Sequence, residues 1–347
     1  MLKILKKLFT VIVYVAIFAT LIVAFILITE FSPKNGEELK VIGKPTKTLK
    51  AGDTVTILTY NIGHLVSQSE ADSYLEGGKM VKAQSETVVQ DNLEAVNKVI
   101  SEAKADIVAM QEVDYKSTIS YKVNEYVELA NAYEGVSSIA MLQNTYVPYP
   151  FENMVGKVKT GIAAMSKYDF ASCRINLVED YEFPERIIMP KKCIQKQIIS
   201  LEESDKKLIV LNVELDDYDD GSVREKQLKI LKDEMEKEYN NGNYVVVAGD
   251  FNMTFPEIDN TNNTKGEYIV TSFSDSFLPE GWSYGVDKSI STFRLRDVAY
   301  DKETSFTSIV DGFIVSPNVT IKSTKTIDTE FKHSNHNPVK MEFVLKK

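Results

Sequence analysis

Short polar islands close several apolar runs in the 347-residue chain: Tyr60-Asn61, Gln111-Glu112, Gly249-Asp250-Phe251-Asn252, Asp311-Gly312 and Ser334-Asn335-His336. A hard cation such as Mg2+ takes carboxylate and amide oxygens and usually keeps several waters for a substrate to displace. Asn61, Glu112, Asp250, Asn252 and Asp311 offer that ligand chemistry. His336 offers a donor to a phosphoryl oxygen, the more so if a carboxylate such as Asp311 fixes its tautomer and supports its charge. In-line attack of water on phosphorus needs this equipment: a metal, a group that orients water, and donors to the phosphoryl oxygens. Singly, each residue has a plainer reading. Gly-Asp-Phe-Asn and Asp311-Gly312 suit turns, Asn61 a cap, Glu112 a surface carboxylate and His336 an ordinary loop. Their recurrence at strand ends argues for one site.

The elements that would position them follow from hydrophobic periodicity. Thr54–Tyr60 alternates as a strand, and Ser85 can cap a helix in which Val89, Leu93, Val96 and Ile100 share a face. Asp106–Val113 is the next strand and Asn124–Ala132 a second helix. Strand-like runs follow at Ile162–Met165, Gln197–Leu201 and Leu208–Leu215, then a charged helix over Arg224–Tyr239. The β-branched run Tyr244–Ala248 delivers Asp250 and Asn252, and Ser308–Val315, Val319–Ser323 and Val339–Leu345 complete the strands. Strands outnumber helices, which predicts an α/β domain of two sheets covered by helices over residues 52–347.

Ahead of that domain, Leu8–Thr29 contains no charged residue and at helical rise would span about 33 Å, close to a bilayer's hydrocarbon thickness. Lys3, Lys6 and Lys7 lie in a basic stub over residues 1–7, which predicts a cytoplasmic amino terminus and an exterior domain. A cleaved signal peptide is the rival reading; the length of the run and the lack of a small-x-small site favour an anchor in the cell membrane. Residues 30–51, with Pro33, Gly36, Gly43 and Pro45, read as a tether. The formal charge is −10; Lys3, Lys6, Lys7 and Glu30 sum to +2, so the exterior part carries −12. That balance disfavours a broad nucleic-acid platform. Cys173 and Cys193 are too few for a zinc site, and as a pair they permit either a disulfide or two ordinary strand residues.

Taken in order, the islands resemble those of the endonuclease/exonuclease/phosphatase superfamily, which includes secreted deoxyribonucleases, abasic-site endonucleases, neutral sphingomyelinases and inositol polyphosphate 5-phosphatases. The matching stretches are Thr59-Tyr60-Asn61, Gln111-Glu112-Val113-Asp114, Gly249-Asp250-Phe251-Asn252, Val310-Asp311-Gly312-Phe313 and Ser334-Asn335-His336-Asn337-Pro338-Val339. Gly161–Ser166 is similar to the superfamily's glycine-led central strand. The resemblance implies a four-layer α/β/β/α sandwich, here behind a single N-terminal transmembrane helix. It also implies a divalent-metal hydrolase of phosphate esters, with Mg2+ first and Mn2+ or Ca2+ as other candidates. By position, Glu112 would be the main metal ligand with Asn61 and Asn335 beside it. Asp250 would orient water, Asn252 would bind metal or phosphate, and Asp311 would support His336 at the scissile phosphate.

Two positions depart from the pattern. Asn212-Val213-Glu214-Leu215 carries an acid where relatives usually have a histidine, so Glu214 occupies a substrate-binding position. Asn335 stands where relatives usually have aspartate. An ionised Glu214 would repel a phosphate. Of the remaining histidines, His64 lies close enough to Asn61 to be a substitute. The expected activity is therefore membrane-anchored, outward-facing phosphoesterase action on a lipid head group, nucleotide or nucleic acid, with no specific protein partner. The alternative is an impaired relative that binds metal and a phosphorylated ligand without efficient turnover. Changing Glu214 to His together with Asn335 to Asp is expected to raise activity.

Overall fold

The computed structural model describes the chain except residues 1, 29, 149, 151–152, 218–220, 257, 259–263 and 266–267. Thr29, the last residue of the expected span, therefore lies outside the described residues. In chain order the main elements are α1 (Leu2–Ile28), β1 (Glu38–Leu39), β2 (Ile42–Gly43), β3 (Thr54–Asn61), α2 (Glu86–Ala103), β4 (Ile107–Asp114), α3 (Glu125–Ala132), β5 (Val136–Val147), β6 (Gly156–Ser166) and β7 (Ala171–Asn176). They continue with β8 (Cys193–Ser200), β9 (Lys207–Glu214), α4 (Ser222–Asn240), β10 (Tyr244–Asp250), β11 (Ser283–Gly285), β12 (Asp311–Val315), β13 (Val319–Thr326) and β14 (Val339–Leu345).

The strands form two seven-stranded sheets. One runs β1-β7-β8-β9-β10-β12-β11, the other β13-β14-β3-β4-β6-β5-β2. Alternation along each strand sorts side chains between two faces. Val246, Ala248, Leu208 and Val210 of the first sheet meet Val55, Ile57, Ala109 and Met341 of the second in a buried core between the sheets. Leu58, Tyr60, Val108 and Met110 turn the other way and pack under Val89, Leu93, Val96 and Ile100 of α2. Val245, Val247 and Leu211 pack under Leu228, Leu231 and Met235 of α4. The result is the expected α/β/β/α layering, and Ser85 caps α2 by accepting the Val88 N–H at 3.2 Å.

Residues 30–51 are not the free tether that their Pro and Gly content predicted. Glu38 and Leu39 pair with Cys173 and Ser172, and Ile42 and Gly43 pair with Ser137 and Val136. Each two-residue strand closes the edge of a different sheet, and such short pieces leave no periodic signal to read. Cys173 and Cys193 are both free thiols. α1 is long and apolar enough to cross a membrane, and no part of its apolar stretch is buried against the domain.

Candidate active site

The site forms where β3, β4 and β10 end and β12 begins. Parallel pairing of β3 with β4 sets Asn61 beside Gln111, while β10 sets Asp250 opposite Asp311 of β12 and beside Glu214 of β9. Gly249 is required by close approach: a Cβ there would stand 2.0 Å from the Val213 carbonyl oxygen. Thus Gly-Asp-Phe-Asn is a strand end pressed against its neighbour rather than a loose turn. In β4 the register against β6 shifts between Met110 and Val113, and Glu112 adopts a φ of 52°. This bulge gives adjacent residues separate tasks. Gln111 donates to Asn212 Oδ1 at 2.7 Å inside the sandwich, while Glu112 emerges at the rim, 19% exposed.

Asn61 joins the two sheets. Its Nδ2 donates to Glu112 Oε1 and to Asp250 Oδ2, each at 3.0 Å, and its Oδ1 accepts the Gly63 N–H at 3.0 Å. Asn61 thus bridges the two carboxylates through its amide nitrogen, and its oxygen, with one hydrogen bond accepted, keeps a lone pair. Across the gap, His336 Nδ1–H donates to Asp311 Oδ2 at 2.9 Å, and its Nε2 lies 3.7 Å from Asp250 Oδ2. The ring rests against Phe293 with centroids 5.1 Å apart. Asn252 donates its backbone N–H to Asp250 Oδ1 at 2.9 Å and its Nδ2 to the Leu215 carbonyl at 2.9 Å. It therefore braces Asp250 and the end of β9.

Charge and burial set the protonation states. Burial and the neighbouring Asp311 push Asp250 up to about 8. Burial alone would lower His336, but Asp311 and Asp250 outweigh it and lift the imidazole to about 9. Burial disfavours ionised Glu112, yet His64, Arg296 and His336 hold it down at about 2. His64 does reach the site, as its position after Asn61 allowed. Its Nε2 lies 3.2 Å from Glu112 Oε2 and its Nδ1 2.9 Å from Asp114 Oδ1, and these carboxylates lift it to about 9 against the effect of burial.

Among the described residues, Asp250, Asp311 and His336 offer atoms within 4.8 Å of one another, close enough to hold a divalent cation. A cation there would have to displace the proton of the His336–Asp311 hydrogen bond. Glu112 and Asn335 offer the oxygen chemistry that a hard cation takes. Asn335 Oδ1 is buried without a hydrogen-bond partner, and it stands 2.6 Å from where a Gly63 Cβ would be, so only glycine lets the loop after β3 close over it.

Glu214 stands beside Asp250, at the substrate-binding position expected of it, but already has a cationic partner. It is ion-paired with Lys192, and both side chains are buried, at 9% and 3% exposure. Its Oε2 is buried without a partner. Burial disfavours a charged Lys192, but Glu214, Asp217 and Asp216 outweigh that and raise its pKa. Lys192 was missed in the sequence because it sits in a polar loop ahead of β8 and has no motif. A basic residue one strand away from an unexpected acid is the signal that could have found it.

The description Endonuclease/Exonuclease/phosphatase family matches residues 58–329. No curated protein matches the chain in sequence. Among solved structures, an endonuclease/exonuclease/phosphatase from Beutenbergia cavernae DSM 12333 superposes with a TM-score of 0.59 at 14% identity, covering 84% of this chain and 72% of that one. The mannosyl-6-phosphatase of Bacteroides thetaiotaomicron VPI-5482 gives 0.52 at 14% identity, with coverage of 84% and 100%. A humanized D. rerio TDP2 gives 0.51 at 16%, with coverage of 84% and 98%. These identities establish the shared fold alone, whereas the family match spans most of the chain and every island of the site except Ser334-Asn335-His336. The chain belongs to the Endonuclease/Exonuclease/phosphatase family, whose neighbours in structure include phosphate-ester hydrolases.

Proposed function

We propose that the chain is a membrane-anchored, outward-facing phosphoesterase that works with a divalent cation, Mg2+ first. The observation that carries this reading is the position of Asp250. It is shared between the Asn61 bridge to Glu112 on one side and the His336–Asp311 pair on the other. Asp250 in its ionised form orients a water for attack on phosphorus. Asn61 holds the carboxylate in place, and the Asn252 N–H fixes its second oxygen. His336, fixed through Nδ1 by Asp311, presents Nε2–H to a phosphoryl oxygen and stabilises charge that grows in the transition state. A cation held by Glu112 and Asn335 would supply further positive charge to the phosphate.

The impaired-binder alternative rested on Asn335, which stands where relatives carry an acid, and on Glu214, whose charge would repel a phosphate. Lys192 offsets that charge from within the same buried pair, which favours the enzyme. Hydrolysis of bis-para-nitrophenyl phosphate by the full chain tests the proposal. Turnover that requires Mg2+, disappears with EDTA and falls by about a hundredfold or more in Glu112→Ala supports it. Metal binding without turnover overturns it in favour of the binder.

A further inference from the structure

Strand directions fix which end of the sandwich meets the point where α1 ends. β9 runs parallel to β10 and ends at the site with Glu214. β8 is antiparallel to β9 and so begins at that end, and β7, antiparallel to β8, finishes there with Asn176. β1 is antiparallel to β7, so the chain arriving from α1 enters the domain at the site end. The entry is fastened. Asn176 donates to Asn35 Oδ1 at 2.9 Å and to the Pro33 carbonyl at 3.0 Å, and the Gly36 N–H donates to the Arg174 carbonyl at 2.8 Å.

The fastening starts almost at the helix. Glu30, two residues beyond Ile28, is ion-paired with Arg186 at 3.3 Å and Lys191 at 3.7 Å. Two residues of extended chain span at most about 7 Å, so the domain cannot stand away from the end of α1. Sideways, β1 is four strand steps from β10, or about 19 Å at the usual inter-strand spacing. Adjacent lysines join the two places: Lys191 reaches Glu30, and Lys192 reaches Glu214 beside Asp250.

Leu75, Tyr121, Met154, Phe183 and Val298 are exposed, at 37% to 64%, on loops that follow or precede site-end strand termini, and Tyr146 is exposed near the site end of β5. Ile42 is the large apolar side chain exposed at the far end among the described residues. Lys82 lies over the Tyr121 ring at 5.9 Å, and Lys157 and Lys159 stand on the β5–β6 hairpin with Tyr146. At Tyr121 and Tyr146 an aromatic tip with lysine beside it suits the interface of a bilayer, where the tip inserts and the ammonium meets head groups, and Phe183 adds an apolar tip between Glu182 and Glu185.

We infer that the site end of the sandwich faces the bilayer that α1 enters, so that the substrate is a phosphate ester of a lipid in that same membrane. This rests on the phosphoesterase reading for the chemistry and on the strand directions for the orientation. The loops would seat at head-group level, and the gap between Glu112, Asp250 and His336 would open toward the lipid phosphates.

The full chain, reconstituted in phosphatidylcholine vesicles containing phosphatidylglycerol, separates the two parts. In a Trp282→Phe background, Phe183→Trp reports the site end and Ile42→Trp the far end. Brominated lipid should quench the first by about half and leave the second unchanged. Equal emission from both, with and without bromine, overturns the orientation whatever the activity. In the same vesicles, a fluorescent phospholipid carried with the chain should be hydrolysed about tenfold faster than the same lipid in separate vesicles, because a shared membrane raises its effective concentration. Bis-para-nitrophenyl phosphate measured alongside reports the site itself. Loss of that turnover sinks the phosphoesterase reading and leaves the quenching result standing. Turnover of the soluble ester with no lipid hydrolysis overturns the substrate class.

Discussion

Lys192 holds Glu214 in a buried ion pair next to Asp250, at the position where the family resemblance led one to expect a histidine. Breaking such a pair from one side strands the other charge, at a cost of about 3–5 kcal/mol, whereas replacing both partners by apolar groups is often close to neutral. Glu214→His alone is therefore expected to lower the melting temperature sharply instead of restoring activity. Adding Lys192→Met should recover most of that loss. Urea unfolding of the two single variants and the double variant measures the coupling, and additive losses would refute it.

The protons at the centre of the site predict an alkaline activity profile. Water orientation needs Asp250 ionised, so kcat/KM should rise as pH passes about 8. It should fall again as His336 loses its proton at about 9. Asp311 raises both values, so Asp311→Asn should move both limbs of the bell to lower pH. A profile unmoved by that substitution would show that other groups set it.

The same two groups make the folded state hold more protons than the unfolded one. The stability His336 contributes is complete below its ordinary value of 6.5 and is lost as pH rises through about 9. Asp250 ionises at 3.8 in the unfolded chain but at about 8 when folded, so its ionisation also penalises the native state over that window. The melting temperature of the metal-free protein should fall between pH 6 and pH 9, on the order of several degrees. Asp250→Asn should flatten that slope while cutting turnover about a hundredfold or more. Calorimetry across the pH series checks both parts.

Asn335 gives a fourth prediction. Its buried Oδ1 lacks a hydrogen-bond partner under the Gly63 loop. Asn335→Asp places a charge there, which should lower stability without metal and enlarge the stabilisation given by Mg2+. Thermal shifts with Mg2+ and with EDTA provide the comparison. A smaller Mg2+ shift than in the parent chain would remove Asn335 from the metal site.

Long apolar runs made much of this architecture legible in the sequence. β10, β14 and α3 fall within a residue or two of the expected bounds because their burial pattern repeats along the element. β5 and β7 were not read, since Ser137, Ser138, Ser172 and Arg174 interrupt the apolar alternation; Ser138 accepts from Gln195 and Arg174 donates to the Met141 carbonyl across the sandwich. In the site, Glu112, Asp250, Asp311 and His336 were visible as strand-end residues. What Asn61 does was not, because an amide's role depends on which of its ends faces the carboxylates, and spacing along the chain carries no such information. Lys192 and Asp114 act through contacts across strands and loops, which a linear pattern cannot show.

The segment after α1 has one more consequence. A proteolytic cut beyond Gly43 would remove β1 and β2 together with α1. It would lay bare the edge at Cys173 in one sheet and the edge at Val136 in the other. The released piece would carry two unpaired strand edges, each a template for pairing with another chain. Such a cut would thus yield an association-prone fragment in place of an independent domain.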